Sequence, residues 1–167
     1  MNLRHLLILL LGLILLAAAA DIAWFYPRLP ERLATHFNGT GVADGYTGKV
    51  GFVVAQGCTL AGLAALFVGL AWIIPHMPVS LINLPHRDYW LAPPRRVATL
   101  ETIHRFMLGL AVVTIGFLAG LLHLMLLANA HPPPRLGPGF GLLVAIQIAS
   151  VLGLVVRLLW RFRKRGP

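Results

Sequence analysis

The chain has 167 residues, of which 58% are hydrophobic and only 11% charged, with mean hydropathy +0.81. A water-soluble domain of this length does not carry so little charge, so the composition defines an integral membrane protein. The formal net charge of +9 does not indicate nucleic acid, because no basic and aromatic stripe accompanies it and five of the 14 Lys and Arg crowd the C-terminus (Arg157, Arg161, Arg163, Lys164, Arg165). Such a cluster after an apolar run fixes topology or touches anionic lipid. One cysteine, Cys58, lies within an apolar run, so an intramolecular disulfide is excluded.

In chain order, four apolar runs are long enough to cross a bilayer, at about 20 residues each as helix. They cover roughly residues 6–25, 51–74, 106–128 and 139–160. The first imitates a secretory signal, with Arg4, a leucine-rich core and Ala18-Ala19-Ala20. Its apolar character continues through Ile22-Ala23-Trp24-Phe25, so an uncleaved first span is expected. Between the first two spans lies a polar, turn-rich island, residues 26–49. Pro27 and Pro30 favour extended chain at its start. Asn38-Gly39 and Asp44-Gly45 read as turns, with a short strand ahead of them over Leu33–Phe37 opening a hairpin. Asn38-Gly39-Thr40 also satisfies the glycosylation pattern and is read as the turn.

The loop over residues 75–105 opens with Pro75, Pro78 and Pro85 and then turns helical. Tyr89 and Trp90 suit the headgroup layer. From Pro94 onward, Val97, Leu100, Ile103 and Met107 recur at helical steps, which predicts an interfacial helix in the inner leaflet before the third span. The last connection, residues 129–138, is short and proline-rich, so spans three and four are expected to be antiparallel neighbours. Gly57, Gly62 and Gly69 on span two, and Gly109, Gly116 and Gly120 on span three, allow close helix approach. Gln147 and Ser150 on span four are expected to hydrogen-bond between helices. The expected architecture is an all-α, four-transmembrane-helix bundle, one domain over residues 1–167, with an ordered outer loop and an inner-leaflet interfacial helix. Ten Lys and Arg fall on the side of the termini and four on the other, so both termini are expected in the cytoplasm and the 26–49 loop outside.

The chemistry-bearing candidates are few. His36, Asn38, Asp44 and Tyr46 mark the outer loop as a binding surface for a protein or peptide. His86, Asp88, Tyr89 and Trp90 form a second polar and aromatic patch at the inner membrane surface, read first as turn capping with an aromatic anchor. His123 is an ionisable group inside a span, where such groups are costly. With His36 and Asp44, and Asp21 or His131 nearby in the scheme, it makes a nitrogen and oxygen set of the kind zinc or copper takes. No paired His spacing supports that metal set, and the expectation is a protein without cofactor. Glu101 and His104 stand at i, i+3, but the second copy that a di-metal bundle needs is missing. Glu101 four residues before Arg105 is read as a helix ion pair. No catalytic residue is assigned: the chain lacks Gly-x-Ser-x-Gly, His-Glu-x-x-His and a phosphate loop. Membrane lipid is the expected environment, and the oligomeric state is open.

Two stretches resemble a known family. Pro27, Pro30, His36, Phe37, Asn38, Gly41, Asp44 and Gly45 are similar to a bacterial membrane domain of unknown function (DUF 1648 type). That domain opens toxin-immunity proteins of the SdpI kind and occurs in small stand-alone membrane proteins. Asn83-Leu84-Pro85 and Asp88-Tyr89-Trp90-Leu91 resemble a motif of the stand-alone proteins. The resemblance implies a bacterial inner-membrane protein and carries no assigned chemistry. The leading functional expectation is a non-enzymatic binding or accessory module: subunit, sensor or immunity-like protector. The alternative is a metal- or proton-handling membrane protein centred on His36 and His123.

Overall fold

The computed structural model describes residues 2–163, so Lys164 and Arg165 of the basic tail lie outside the described residues. The elements are α1 (Leu3–Phe25), β1 (Arg32–Phe37), β2 (Ala43–Gly48), α2 (Lys49–Ile73), the short α3 (Arg87–Trp90), α4 (Pro93–Ala130) and α5 (Gly139–Phe162). Four of them, α1, α2, α4 and α5, are long and apolar enough to cross a membrane. Asn2 caps α1 by accepting the Arg4 N–H at 3.4 Å. Pro27 and Pro75, each the second residue of a 3-10 turn, tighten the ends of α1 and α2.

α4 is the axis of the bundle and packs against α1, α2 and α5. Its Ala111, Ile115, Leu122 and Leu126 meet Leu11 and Ala18 of α1 and Phe52, Leu60 and Ala64 of α2 in one core. The glycines of α4 lie where neighbours press. A Cβ at Gly120 would stand 3.0 Å from a Leu143 methyl, and one at Gly116 or Gly109 would touch Ile14 or Leu154 at 3.8 and 3.7 Å. The glycines of α2 differ from the expectation. Nothing lies within 4 Å of a Cβ at Gly57, Gly62 or Gly69. The packed side of α2 is built instead from Phe52, Leu60, Ala64 and Ala71.

The helix expected from Pro94 is present, but it is not a separate element. Pro93–Ala130 is one helix of 38 residues, about 57 Å long at 1.5 Å per residue. The reason is local: Pro93 and Pro94 occupy its first turn, where a missing N–H is harmless, and no Gly or Pro follows until Gly109. On α5, the residues Leu143, Val144, Gln147, Ser150, Val151, Leu154 and Leu158 are half-buried at helical spacing, facing α4. Gln147 and Ser150 stand on that stripe, yet neither side chain hydrogen-bonds another described residue, contrary to expectation: the α5 side chains that reach the α4 glycines are the apolar Leu143 and Leu154.

Contacts sort the helix ends into two groups. The hairpin, the start of α2, the last turn of α4 and the start of α5 share one end. The start of α1, the end of α2, α3, the start of α4 and the end of α5 share the other.

Candidate functional site: the hairpin cap and its groove

β1 and β2 pair antiparallel, Arg32 with Gly48, Leu33 with Thr47 and Ala34 with Tyr46; the register then slips, so that His36 faces Gly45 and Phe37 faces Ala43. Asn38 builds the turn. Its Oδ1 accepts the N–H groups of Thr40 and Val42, both at 3.0 Å, and the Thr40 hydroxyl at 2.7 Å. Gly41 closes it with φ +77°, a conformation that glycine adopts freely. Asn38-Gly39 is thus the expected turn, whereas Asp44-Gly45 is not one. Both residues lie within β2 at the register slip. Glycine is needed at position 45 because a Cβ there would lie 2.8 Å from the His36 Cβ. That close approach lets the His36 Nδ1 hydrogen-bond the Asp44 carboxylate.

The hairpin is held to the bundle by a residue that the sequence reading missed. Asn129, in the last turn of α4 and 3% exposed, accepts the Ala34 N–H at 2.7 Å and donates to the Ala34 carbonyl at 3.0 Å. It also donates to the Met125 carbonyl at 2.8 Å. One side-chain amide therefore satisfies both backbone groups of Ala34 as a neighbouring strand would. Leu33 and Ala34 are fully buried at this joint. The signal was present: a lone amide at the end of an apolar run must find partners, because burying it unpaired is costly. Nothing in the sequence names Ala34 as the partner.

The other edge of the hairpin is stitched to the α4–α5 connection. The Leu136 N–H donates to the Gly41 carbonyl at 2.9 Å, and Val42 forms a bridge with Arg135. At the base, the Lys49 ammonium donates to the Leu29 carbonyl at 3.0 Å and rides over the Tyr26 ring, 4.4 Å from its centre. Between the hairpin and the start of α5 these ties leave an open groove of about 400 Å³. Leu121, Met125, Leu136 and Phe140 form its apolar floor, and Thr35, His36 and Asn38 its lip.

Of the candidate residues, His36, Asn38 and Asp44 are thus brought together at the hairpin, with Tyr46 on its exposed surface. His123 is not with them: its Nδ1 lies 2.9 Å from the Asp21 carboxylate of α1, and Phe25 meets its ring edge-on with centres 6.0 Å apart. Among the described residues no group of three His, Cys, Asp or Glu is placed to hold a metal ion. The His131 Nδ1 donates to the Leu127 carbonyl of its own helix end, at 3.0 Å.

The second patch sits at the far end of the molecule. His86 takes φ +53° and its carbonyl receives the N–H groups of Tyr89 and Trp90, which starts α3. Trp90 donates its indole N–H to the Phe162 carbonyl at 3.0 Å and stacks edge-on against Phe162, latching the end of α5. Thr99 donates to the Trp90 carbonyl at 2.9 Å. Tyr89 lies under the Arg95 guanidinium at 3.9 Å, and Asp88 stands exposed with Arg87 at 3.6 Å. The expected Glu101–Arg105 ion pair is formed at 3.2 Å.

A chain of four membrane-spanning helices with a short β-hairpin sealed over one end is the class that this fold and site define. Residues 12–59 match the family model of a domain of unknown function, DUF1648. The match covers most of α1, the whole hairpin and the first turns of α2, so this part of the chain is a domain of that type, while the Asn83–Leu91 patch lies outside it. Neither the curated proteins nor the solved structures gave a match.

Proposed function

We propose that the protein is a non-enzymatic binding or accessory protein of the bacterial inner membrane, with both termini cytoplasmic, that engages a protein or peptide partner through its outer 26–49 loop. The observation that carries this reading is the groove beside the hairpin. Its walls are fixed by hydrogen bonds to the last turn of α4, through Asn129, and to the α4–α5 connection, through Leu136, rather than left as free loop. A pre-formed apolar floor with a few polar groups on its lip is what a peptide-sized ligand needs. The subunit, sensor and immunity-like roles share this chemistry.

The test is a photo-crosslinking side chain placed at Thr40, with Gly62 of α2 as the control position. A discrete protein adduct from Thr40, absent from Gly62 and lost when Phe140→Asp spoils the floor, is expected. No adduct at Thr40, or the same adducts from both positions, overturns the reading.

The alternative, a protein that handles protons or a metal ion, is favoured by one observation: the His123–Asp21 pair on the flank of two spans. Zinc or copper bound stoichiometrically to the purified protein, and lost in His123→Asn or Asp21→Asn, would establish it.

A further inference from the structure

At the end of the bundle opposite the hairpin, the starts of α1 and α4 and the end of α2 surround a second open groove, of about 330 Å³. Its polar lining is Arg4, His76, Glu101 and His104, and Trp72, Val97 and Leu100 form apolar walls. The polar groups leave a positive surplus. Glu101 is the one carboxylate in the lining, and Arg105 already pairs with it at 3.2 Å. Arg4 makes no ion pair with any described residue, and its guanidinium is exposed at the groove. His76 hydrogen-bonds the Trp72 carbonyl through Nδ1 at 2.9 Å and rests on the Trp72 ring at 5.3 Å, so Nε2 is its uncommitted nitrogen.

His104 is the residue that needs explanation. It is only 7% exposed, and its ring makes no hydrogen bond with any described residue. No fully enclosed side-chain nitrogen among the described residues lacks a partner, so the ring nitrogens open onto the groove that His104 lines. An imidazole drawn out of water without a partner is unfavourable, and a ligand that accepts its hydrogen bond relieves that cost. A guanidinium and an imidazole lining one groove beside a neutralised carboxylate suit an oxyanion, phosphate above all. Val97 and Trp72, 80% and 68% exposed, continue the apolar flank of the spans past the mouth of the groove. A ligand there has hydrocarbon to lie against.

We propose that this groove holds the phosphate of an anionic lipid, whose oxygens accept hydrogen bonds from Arg4 and His104 while its acyl chains lie along Trp72 and Val97. This site is independent of the hairpin groove and of the function assigned to it. Free phosphate shares the headgroup chemistry but not the apolar contacts, so the two sources are separable.

The full chain, purified in mild detergent, is titrated with phosphatidylglycerol, phosphatidylcholine and inorganic phosphate in turn, and native mass spectrometry reads the bound fraction. One phosphatidylglycerol is expected to be retained in preference to phosphatidylcholine. Arg4→Gln should weaken its binding about fivefold, the worth of one basic side chain beside an anionic leaflet. His104→Gln should weaken it too; because His104 is packed, the exposed Arg4 variant keeps the test decisive if that protein fails to fold. Arg163→Gln, outside the groove, should leave binding unchanged. Equal retention of the two lipids, an equal loss in Arg163→Gln, or full displacement of the lipid by inorganic phosphate would overturn the proposal.

Discussion

Asn129 does for the hairpin what a third strand would, and its removal should be felt more than that of any charged residue in the cap. Asn129→Leu keeps the bulk but strands the N–H and carbonyl of Ala34 inside the joint. An unsatisfied buried backbone group costs about 1–3 kcal/mol, so the two together are expected to undock the hairpin. The expected outcome is a lower melting temperature in detergent together with new protease cleavage near Gly39; intact protection would refute the clamp. His36→Asn is expected to be mild by comparison, below about 1 kcal/mol, because the His36–Asp44 pair is largely exposed and such pairs contribute little. At this scale the sequence was partly legible. The Asn38 turn follows from local chemistry that asparagine and glycine bring anywhere. The Asp44-Gly45 dipeptide carries the same letters, but its glycine answers to a cross-strand contact with His36, which a reading of neighbours along the chain does not reach.

The helices were legible because apolar length alone decides them; what the sequence did not contain was which faces meet. Glycines at 57, 62 and 69 and at 109, 116 and 120 look alike as small-residue series, yet only the second series touches other helices. The difference lies in the position of α4 between three partners, a property of the assembly that no single helix encodes. Gly120→Leu should therefore separate α4 from α5 and destabilise the fold by about 1–3 kcal/mol or more, as overpacking does, while Gly62→Leu should be near neutral. Thermal unfolding of the two variants in one detergent decides the matter: equal effects would mean that the faces are wrongly assigned. The long α4 teaches the same lesson in reverse. Amphipathic spacing before the third span was visible, but whether two helical stretches join depends on the absence of a breaker, and the run from Arg95 to Leu108 contains none.

For the whole molecule, the charge asymmetry leads to an orientation that labelling can test. In a Cys58→Ser background, a cysteine at Thr40 is expected to react with an impermeant maleimide in intact cells and one at Ala98 only after lysis. The reverse pattern would invert every compartment assignment and move the phosphate groove to the outer face. The two ends of the bundle are also built differently. One is sealed by backbone hydrogen bonds around the hairpin, the other by aromatic stacking of Trp90 on Phe162.

The clamp on Ala34 carries a consequence in time. Ala34 and Asn129 are 95 residues apart. At a synthesis rate of about 5–20 residues per second, the strand therefore emerges roughly 5–20 s before the amide that covers it. During that interval β1 has a bare edge, which the proposed orientation puts on the far side of the membrane from the ribosome, and bare edges recruit other strands. A nascent chain stalled before α4 should thus be the form that aggregates or attracts a chaperone, and release past Asn129 should end that exposure.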